Sequence, residues 1–434
     1  MLVQFKVSNF RSIGEEQVLS LLPATNQKEY QENILHVEEH QALNVVAVYG
    51  ANGSGKSNLM YALGRYVAII TDSSRFSSRT TLPWQPFSLR LGWLDKPTFC
   101  EGTFIINGIR YRYGFEYNEK EIIREWLYRK GVGREVAVFL REGEVVEPTS
   151  SFKANSKLID AAIEATKSNS LFLSCCDMLN ITEAVTIMTF FNYFITVDGN
   201  RVKDFEASVI GLWKHVDFRE KAIEYMKRMG TGIAEIELQT QDQHLGTSPV
   251  SKVVDDFETK DDDGILYSKH HIYDRNGKRT NDLISWRFEE MESSGTNKAL
   301  MMTGPILYTL KYGGVICIDE IETNLHPVMT LDTINMFLDQ SVNTLGAQLI
   351  LTTHDTNLLT YAKLRRDQIY FAEKNEWEST EIYSLSDFTY PSDIPGPMKE
   401  RPDTDKEKRY LEGRYGGVPT LGKLKHLIKE DNNG

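Results

Sequence analysis

The chain has only four cysteines in 434 residues, and Cys100, Cys175, Cys176 and Cys317 form neither a C-x-x-C pair nor a Cys/His metal spacing. A disulfide framework and a structural zinc site are excluded, and a reduced, cytoplasmic setting is expected. No run approaches the roughly 18 consecutive apolar residues of a membrane span, and Met1–Ser8 lacks the apolar stretch of a secretion signal. Positive charge is in deficit: 49 Lys+Arg face 61 Asp+Glu, a net charge of −12, which argues against a polybasic nucleic-acid binder. There is no heptad run, internal repeat or low-complexity linker, so coiled-coil rods and solenoids are excluded. What remains, 41% hydrophobic and 25% charged, describes a globular chain able to bury a sizeable core. Its length suits two or three domains, or one domain carrying a large insertion.

Hydropathy patterning points to an α/β chain. Val3, Phe5 and Val7 alternate with Gln4, Lys6 and Ser8, which predicts a half-buried strand, and Val18 to Leu22 is a candidate partner. There are three nearly continuous apolar runs, 44–49, 314–320 and 348–354, the last two ending in polar residues. They fit strands covered on both faces of a parallel sheet. Asn107-Gly108, followed by alternating Ile109, Tyr111, Tyr113, Phe115 and Tyr117, predicts a hairpin, with a second around Arg141–Gly143. The tyrosines read as core rather than as base-stacking rings. Residues 153–235 read mainly helical, with periodic stretches at Leu158–Ala165 and Phe205–Met229, and a strand signal returns at Gly264–Tyr273. The acidic run at 255–263 reads as a solvated loop between strands. The expected division is an N-lobe at 1–75, antiparallel hairpins at 76–150, a mainly helical insertion at 151–260, a C-lobe at 261–395 and a tail at 396–434.

Gly50-Ala-Asn-Gly-Ser-Gly-Lys-Ser57 matches G-x-x-x-x-G-K-[ST] between a buried strand and an amphipathic helix. In such a loop the backbone around Gly53, Ser54 and Gly55 turns N–H groups toward the phosphates, Lys56 reaches the β/γ-phosphates and Ser57 donates its hydroxyl to Mg²⁺. Asp319 and Glu320 end a buried apolar strand, where an unpaired carboxylate is costly without a task. At the carboxyl edge of a parallel sheet they would face the loop, Asp319 holding Mg²⁺ through water and Glu320 acting as general base. His354, ending the third run, is placed to sense the γ-phosphate. Ser293-Ser294-Gly295 opens a helical stretch and offers hydroxyls and N–H donors to an anion. No N-K-x-D base-reading motif occurs, so ATP is expected rather than GTP.

These four elements, in this order, resemble the ABC-type ATPases, in the soluble branch that includes RecF, the SMC proteins and the OLD-type proteins. Ser8-Asn-Phe-Arg-Ser12, Asn52 and Asn58 are similar to that branch as well, and through this resemblance Asn52 and Asn58 join the candidate nucleotide-binding residues. The resemblance implies an ABC-type head with a mostly parallel core sheet, an antiparallel β subdomain and a helical insertion. It implies that Arg11 lies near the nucleotide. It also implies a homodimer or higher homo-oligomer with ATP sandwiched between subunits, Ser294 and Gly295 reaching the γ-phosphate in trans. Asn169–Ser174, Ile318–Pro327 and Tyr410–Pro419 resemble the RloA-like ATPases of bacterial abortive-infection loci. Two departures stand out: Ser174-Cys175-Cys176 occupies the segment where some relatives carry a Q-loop glutamine, and the signature reads Glu-Ser-Ser-Gly-Thr.

The stretch after His354 is short for a fused Toprim nuclease, and Asp403, Asp405 and Glu407 read as an unstructured charged run. The resemblance therefore leads to an ATP-driven sensor or switch controlling a separate effector chain, a nuclease or toxin of Toprim or another type, during phage infection. The alternative is a RecF- or SMC-like ATPase that clamps or repairs DNA, with nucleic acid as direct ligand. Lys363–Arg366 and Lys423–Lys429 are its basic clusters, which read as solvated helix faces. In the tail, Arg409, Arg414 and the turns at Gly413, Gly416 and Gly417 fit either a docking element or a closure of the fold.

Overall fold

The structure is a computed structural model that describes residues 1–239, 264–390, 398–399, 401 and 404–419. The acidic run at 255–263, Asp403 and the basic cluster at 423–429 lie outside the described residues.

The apolar runs form the centre of a six-stranded sheet ordered Phe194–Asp198, Val315–Asp319, Gln348–Thr353, Val45–Gly50, Ile369–Lys374 and Thr380–Ser384. The first five strands are parallel and the last is antiparallel. Val45–Gly50, Val315–Asp319 and Gln348–Thr353 are buried along their whole length, which is why they read as unbroken apolar runs. Phe194–Asp198 is a strand within the stretch that patterning assigns to helices. It is short and half-exposed at the sheet edge, so it lacks a continuous apolar signature.

A second, antiparallel sheet of seven strands holds both predicted hairpins. Leu2–Ser8 pairs with Gln17–Ser20 on one side and with Thr98–Ile106 on the other, and Ile109–Tyr117, Ile122–Lys130, Val136–Glu142 and Val145–Pro148 follow. Asn107 and Gly108 both take positive φ, 49° and 73°, the geometry that the tight hairpin turn demands. Tyr111, Tyr113 and Tyr117 are buried in the core.

Helix Lys56–Asp72 lies between the sheets, burying Leu59, Ala62, Leu63, Tyr66, Ile69 and Ile70. Tyr66 stacks on Phe115 at 5.5 Å, and its hydroxyl donates to the carbonyl of Tyr113 at 2.9 Å. A Cβ at Gly102 would come within 2.7 Å of that hydroxyl, so the strand passes beneath the ring only as glycine. Residues 151–239 are mainly helical around the Phe194–Asp198 strand. The periodic stretch 205–229 divides into Glu206–Trp213 and Val216–Arg228. A third sheet joins Glu235–Gln239, Ile265–Tyr273 and Arg279–Arg287.

Two charged segments behave differently from their sequence reading. Arg365 is fully buried in a two-bond ion pair with Asp367, at 2.9 and 2.8 Å, and Arg366 pairs with Glu29 at 2.8 Å. The 363–366 cluster is therefore not a solvated helix face; its partners arrive from Asp367 and from Glu29, far away in sequence. In the tail, Asp405 caps helix Lys406–Leu411, and Glu407 accepts from Thr356 and Thr360 at 2.7 and 2.8 Å. Tyr410 and Tyr415 stack on Phe371. The described part of the tail closes the fold and is not an unstructured run.

Asn169–Ser174 joins the antiparallel sheet to the helix that follows the glycine loop. Glu125, with no solvent exposure, accepts from the Tyr113 hydroxyl at 2.8 Å, from the N–H groups of Phe172 and Leu173 at 2.7 and 3.0 Å, and from Arg141 at 3.3 Å. It thereby satisfies the free donors at the start of helix Phe172–Met178. Ser174 donates to the carbonyl of Ile70, near the far end of the helix that follows the glycine loop, and Cys175 and Cys176 are buried there. Removing the carboxylate would strand Arg141 inside the core. Glu125→Ala is expected to lower the unfolding free energy by about 3–5 kcal/mol and Glu125→Gln by less, measured by urea denaturation.

Candidate functional site

The carboxyl ends of the parallel strands meet at a cleft of about 300 Å³ lined by Asn52, Gly53, Gly55, Lys56, Ser57, Asn58, Glu320 and His354. Its floor is the loop after Val45–Gly50. Gly53 and Gly55 have φ of 78° and 104°, and a Cβ at Gly55 would sit 1.9 Å from Oγ1 of Thr380. That threonine is buried and donates to the carbonyl of Ser54 at 2.9 Å, fastening the loop to the antiparallel edge strand. Lys56 is buried at the start of its helix, with Nζ donating to the carbonyls of Gly50 and Ala51 at 2.8 and 3.1 Å. Burial pulls its pKa down to about 8, against the opposing pull of Asp319, Glu320 and Glu322. Ser54 Oγ is buried without a hydrogen-bond partner. An orphaned hydroxyl beside an ammonium resting on loop carbonyls suits an anion.

Asp319, 7% exposed, accepts from Thr352 Oγ1 at 2.5 Å and from the Ser57 hydroxyl. Burial raises its pKa, and these two hydrogen bonds partly offset the rise. Thr352 also receives the N–H of Glu320 at 2.8 Å, so one hydroxyl fixes the relative positions of both acids. Glu320 takes φ 50°, a left-handed turn that swings its side chain away from the strand direction. Its carboxylate accepts from Asn200 Nδ2 at 2.8 Å and from Thr323 Oγ1 at 3.4 Å.

His354 is solvent-accessible, and its backbone N–H donates to Glu322 at 2.6 Å. Desolvation and the neighbouring Lys56 ammonium lower the imidazole pKa, outweighing Glu322, Glu320 and Asp319. Arg11, at φ 50°, reaches the start of the same helix: Nη1 donates to Asn58 at 3.3 Å, Nε to Gln85 at 2.6 Å, and the guanidinium lies 4.4 Å from the Tyr61 ring.

Ser293, Ser294 and Gly295 do not line this cleft. Ser293 caps helix Ser294–Tyr312, accepting from the N–H of Thr296 at 3.1 Å, and both serines are exposed. Gly295 packs against the loop after Glu320, where a Cβ would meet the carbonyl of Asn324 at 2.6 Å. Buried Lys298 crosses to the carbonyls of Glu320 and Ile321 at 3.4 and 3.3 Å. Thr352, Glu322, Lys298 and Asn200 thus join the site without having been singled out from sequence. Glu322 sits within the 318–327 motif, the one signal that could have found it.

Chemically, the arrangement offers an anion cradle, a hydroxyl–carboxylate pair suited to a divalent cation, and a carboxylate held apart at the mouth of the cleft. Gly55→Ala is expected to weaken ATP binding at least tenfold, because the added methyl meets Thr380 at a φ that disfavours side chains; titration calorimetry measures it.

A family model described as "AAA domain, putative AbiEii toxin, Type IV TA system" matches residues 45–167 and 189–360. No curated protein matches the chain significantly. Among solved structures, the chain is similar to the SMC head domain from Thermotoga maritima, at 11% identity, covering 88% of this chain and 98% of that one, with a TM-score of 0.39. It is also similar to a structure of the SmcHead bound to the C-winged helix domain of ScpA, at 13% identity, with the same coverages and a TM-score of 0.43. Because the family match takes in the glycine loop, the Asp319–Glu320 strand end and His354 over more than half of the chain, the protein belongs to this AAA-domain family.

Proposed function

We propose that the chain binds and hydrolyses ATP with Mg²⁺ and acts as the switch subunit of a bacterial anti-phage, abortive-infection-type system, controlling a separate effector nuclease or toxin. The convergence of Lys56, the Ser57–Asp319 pair, Glu320 and His354 on one cleft carries the catalytic part of this reading. Support for the biological setting comes from the matched family's description, which names a toxin and a toxin–antitoxin system.

In this reading Lys56 and the loop N–H groups bind the β- and γ-phosphates. Ser57 and Asp319 would hold Mg²⁺, which when bound supplies positive charge against the phosphate oxygens. Glu320 takes the proton of the attacking water, and His354 contacts the terminal phosphate. Ser293 and Ser294 are exposed at a helix start outside their own cleft, with Gly295 partly covered beside them, which supports a role on the nucleotide of a second copy. ATP would then be sandwiched in a homodimer or larger homo-oligomer. The inward pairing of Arg365 and Arg366 supports a protein partner over direct DNA clamping.

Lys56→Ala is expected to reduce ATP binding and turnover by at least 100-fold; unaltered phosphate release would refute the assignment. Glu320→Gln is expected to hydrolyse at least 100-fold more slowly while retaining ATP, and to accumulate as dimers in light scattering with ATP and Mg²⁺. A monomer under those conditions would sink the sandwich arrangement.

A further inference from the structure

We propose that Asn200 is a positioning residue for Glu320: its side-chain amide holds the carboxylate in the orientation from which it accepts a proton. The proposal rests on the ATPase reading above. Its basis is the turn Asp198-Gly199-Asn200, which follows the edge strand Phe194–Asp198 and is built onto the end of the neighbouring strand.

The parallel register places Asp198 beside Asp319, so the two chains leave the sheet together. The N–H of Gly199 donates to the carbonyl of Asp319 at 2.8 Å. A Cβ at position 199 would lie 2.4 Å from the carbonyl oxygen of Glu320 and 2.5 Å from that of Asp319. Backbone meets backbone here, with no side chain able to yield, so only glycine permits the approach. Asp198 closes the turn: Oδ1 accepts the N–H of Asn200 at 2.9 Å, and Oδ2 accepts the Tyr61 hydroxyl, on the helix that begins with Lys56, at 3.3 Å. Asn200 is thus tied to both the acid-bearing strand and the phosphate-loop helix. From that fixed point Nδ2 donates to Glu320 Oε2 at 2.8 Å.

The residue type fits the task. Glu320 projects from a left-handed turn, and among the described residues a second side chain, Thr323, donates to its carboxylate at the longer distance of 3.4 Å. A lysine or arginine would orient the carboxylate too, but would neutralise it and weaken it as a base. A neutral amide restricts the side chain while leaving its negative charge intact. One carboxylate oxygen is engaged by Asn200, and the other remains available to accept the proton.

The test compares Asn200→Ala and Asn200→Asp with the parent and with Glu320→Gln, following steady-state phosphate release and the Kd of a fluorescent ATP analogue. Asn200→Ala is expected to lower kcat about tenfold with the Kd changed less than about twofold. Asn200→Asp keeps the size of the side chain but sets two carboxylates against each other, and is expected to lower kcat further than alanine. Adding Asn200→Ala to Glu320→Gln is expected to slow turnover no further, since the group being positioned is already gone. Parent-like kcat in Asn200→Ala, an aspartate variant faster than the alanine one, or additive losses in the double variant would each overturn the proposal. Unchanged turnover in Glu320→Gln would instead remove Glu320 as the general base, the part of the ATPase reading on which the proposal rests.

Discussion

Burial of opposite charges at the carboxyl edge of a parallel sheet is the constraint on which the rest of the structure depends. Asp319 and Lys56 are both largely removed from solvent, and each carries a pKa displaced toward its neutral form. Isolated charges could not be kept there; fixed dipoles must replace the lost water. Thr352 and Ser57 meet the aspartate, while the carbonyls of Gly50 and Ala51 meet the lysine. Each donor or acceptor comes from a different strand end or from the loop itself. The order of the central strands therefore follows from the need to satisfy this pair as much as from apolar burial.

That dependence extends outward in two directions. Toward the antiparallel sheet, Thr380 fills the space at Gly55 and contacts Ser12, whose own hydroxyl accepts from Asn58 at 2.7 Å. Toward the helices, Lys298 and Gly295 bring the start of helix Ser294–Tyr312 against the loop after Glu320. A displacement of the phosphate loop would therefore be felt at the edge strand Thr380–Ser384 and at the start of helix Ser294–Tyr312, because packed interiors transmit strain.

What was legible in the sequence divides along physical lines. The glycine loop, the Asp319–Glu320 strand end and His354 could be read because their chemistry dictates residue identity at fixed spacing along one segment. The buried strands and the Asn107-Gly108 hairpin could be read because apolar runs and left-handed turns have local signatures. Phe194–Asp198 could not: an edge strand of five residues directly after a helix has too few buried positions to establish a period. Thr352 and Asn200 could not either, since each gains its meaning from strand register across more than 30 residues of sequence. The tail segment at 404–407 failed for a related reason. Its acids cap a helix and receive hydroxyls from residues 356 and 360, none of which composition can show.

The inward-facing arginines bear on how this molecule would meet a polyanion. Affinity for nucleic acid grows with the number of cations that displace condensed counterions from phosphates, and its salt dependence counts them. Arg365 is wholly enclosed with Asp367, and Arg366 is largely covered beside Glu29, so neither can release a counterion without breaking the fold. The number of arginines in this stretch thus overstates its electrostatic reach. In an ionic-strength titration, Arg365 and Arg366 would behave as structural struts rather than as a charged surface.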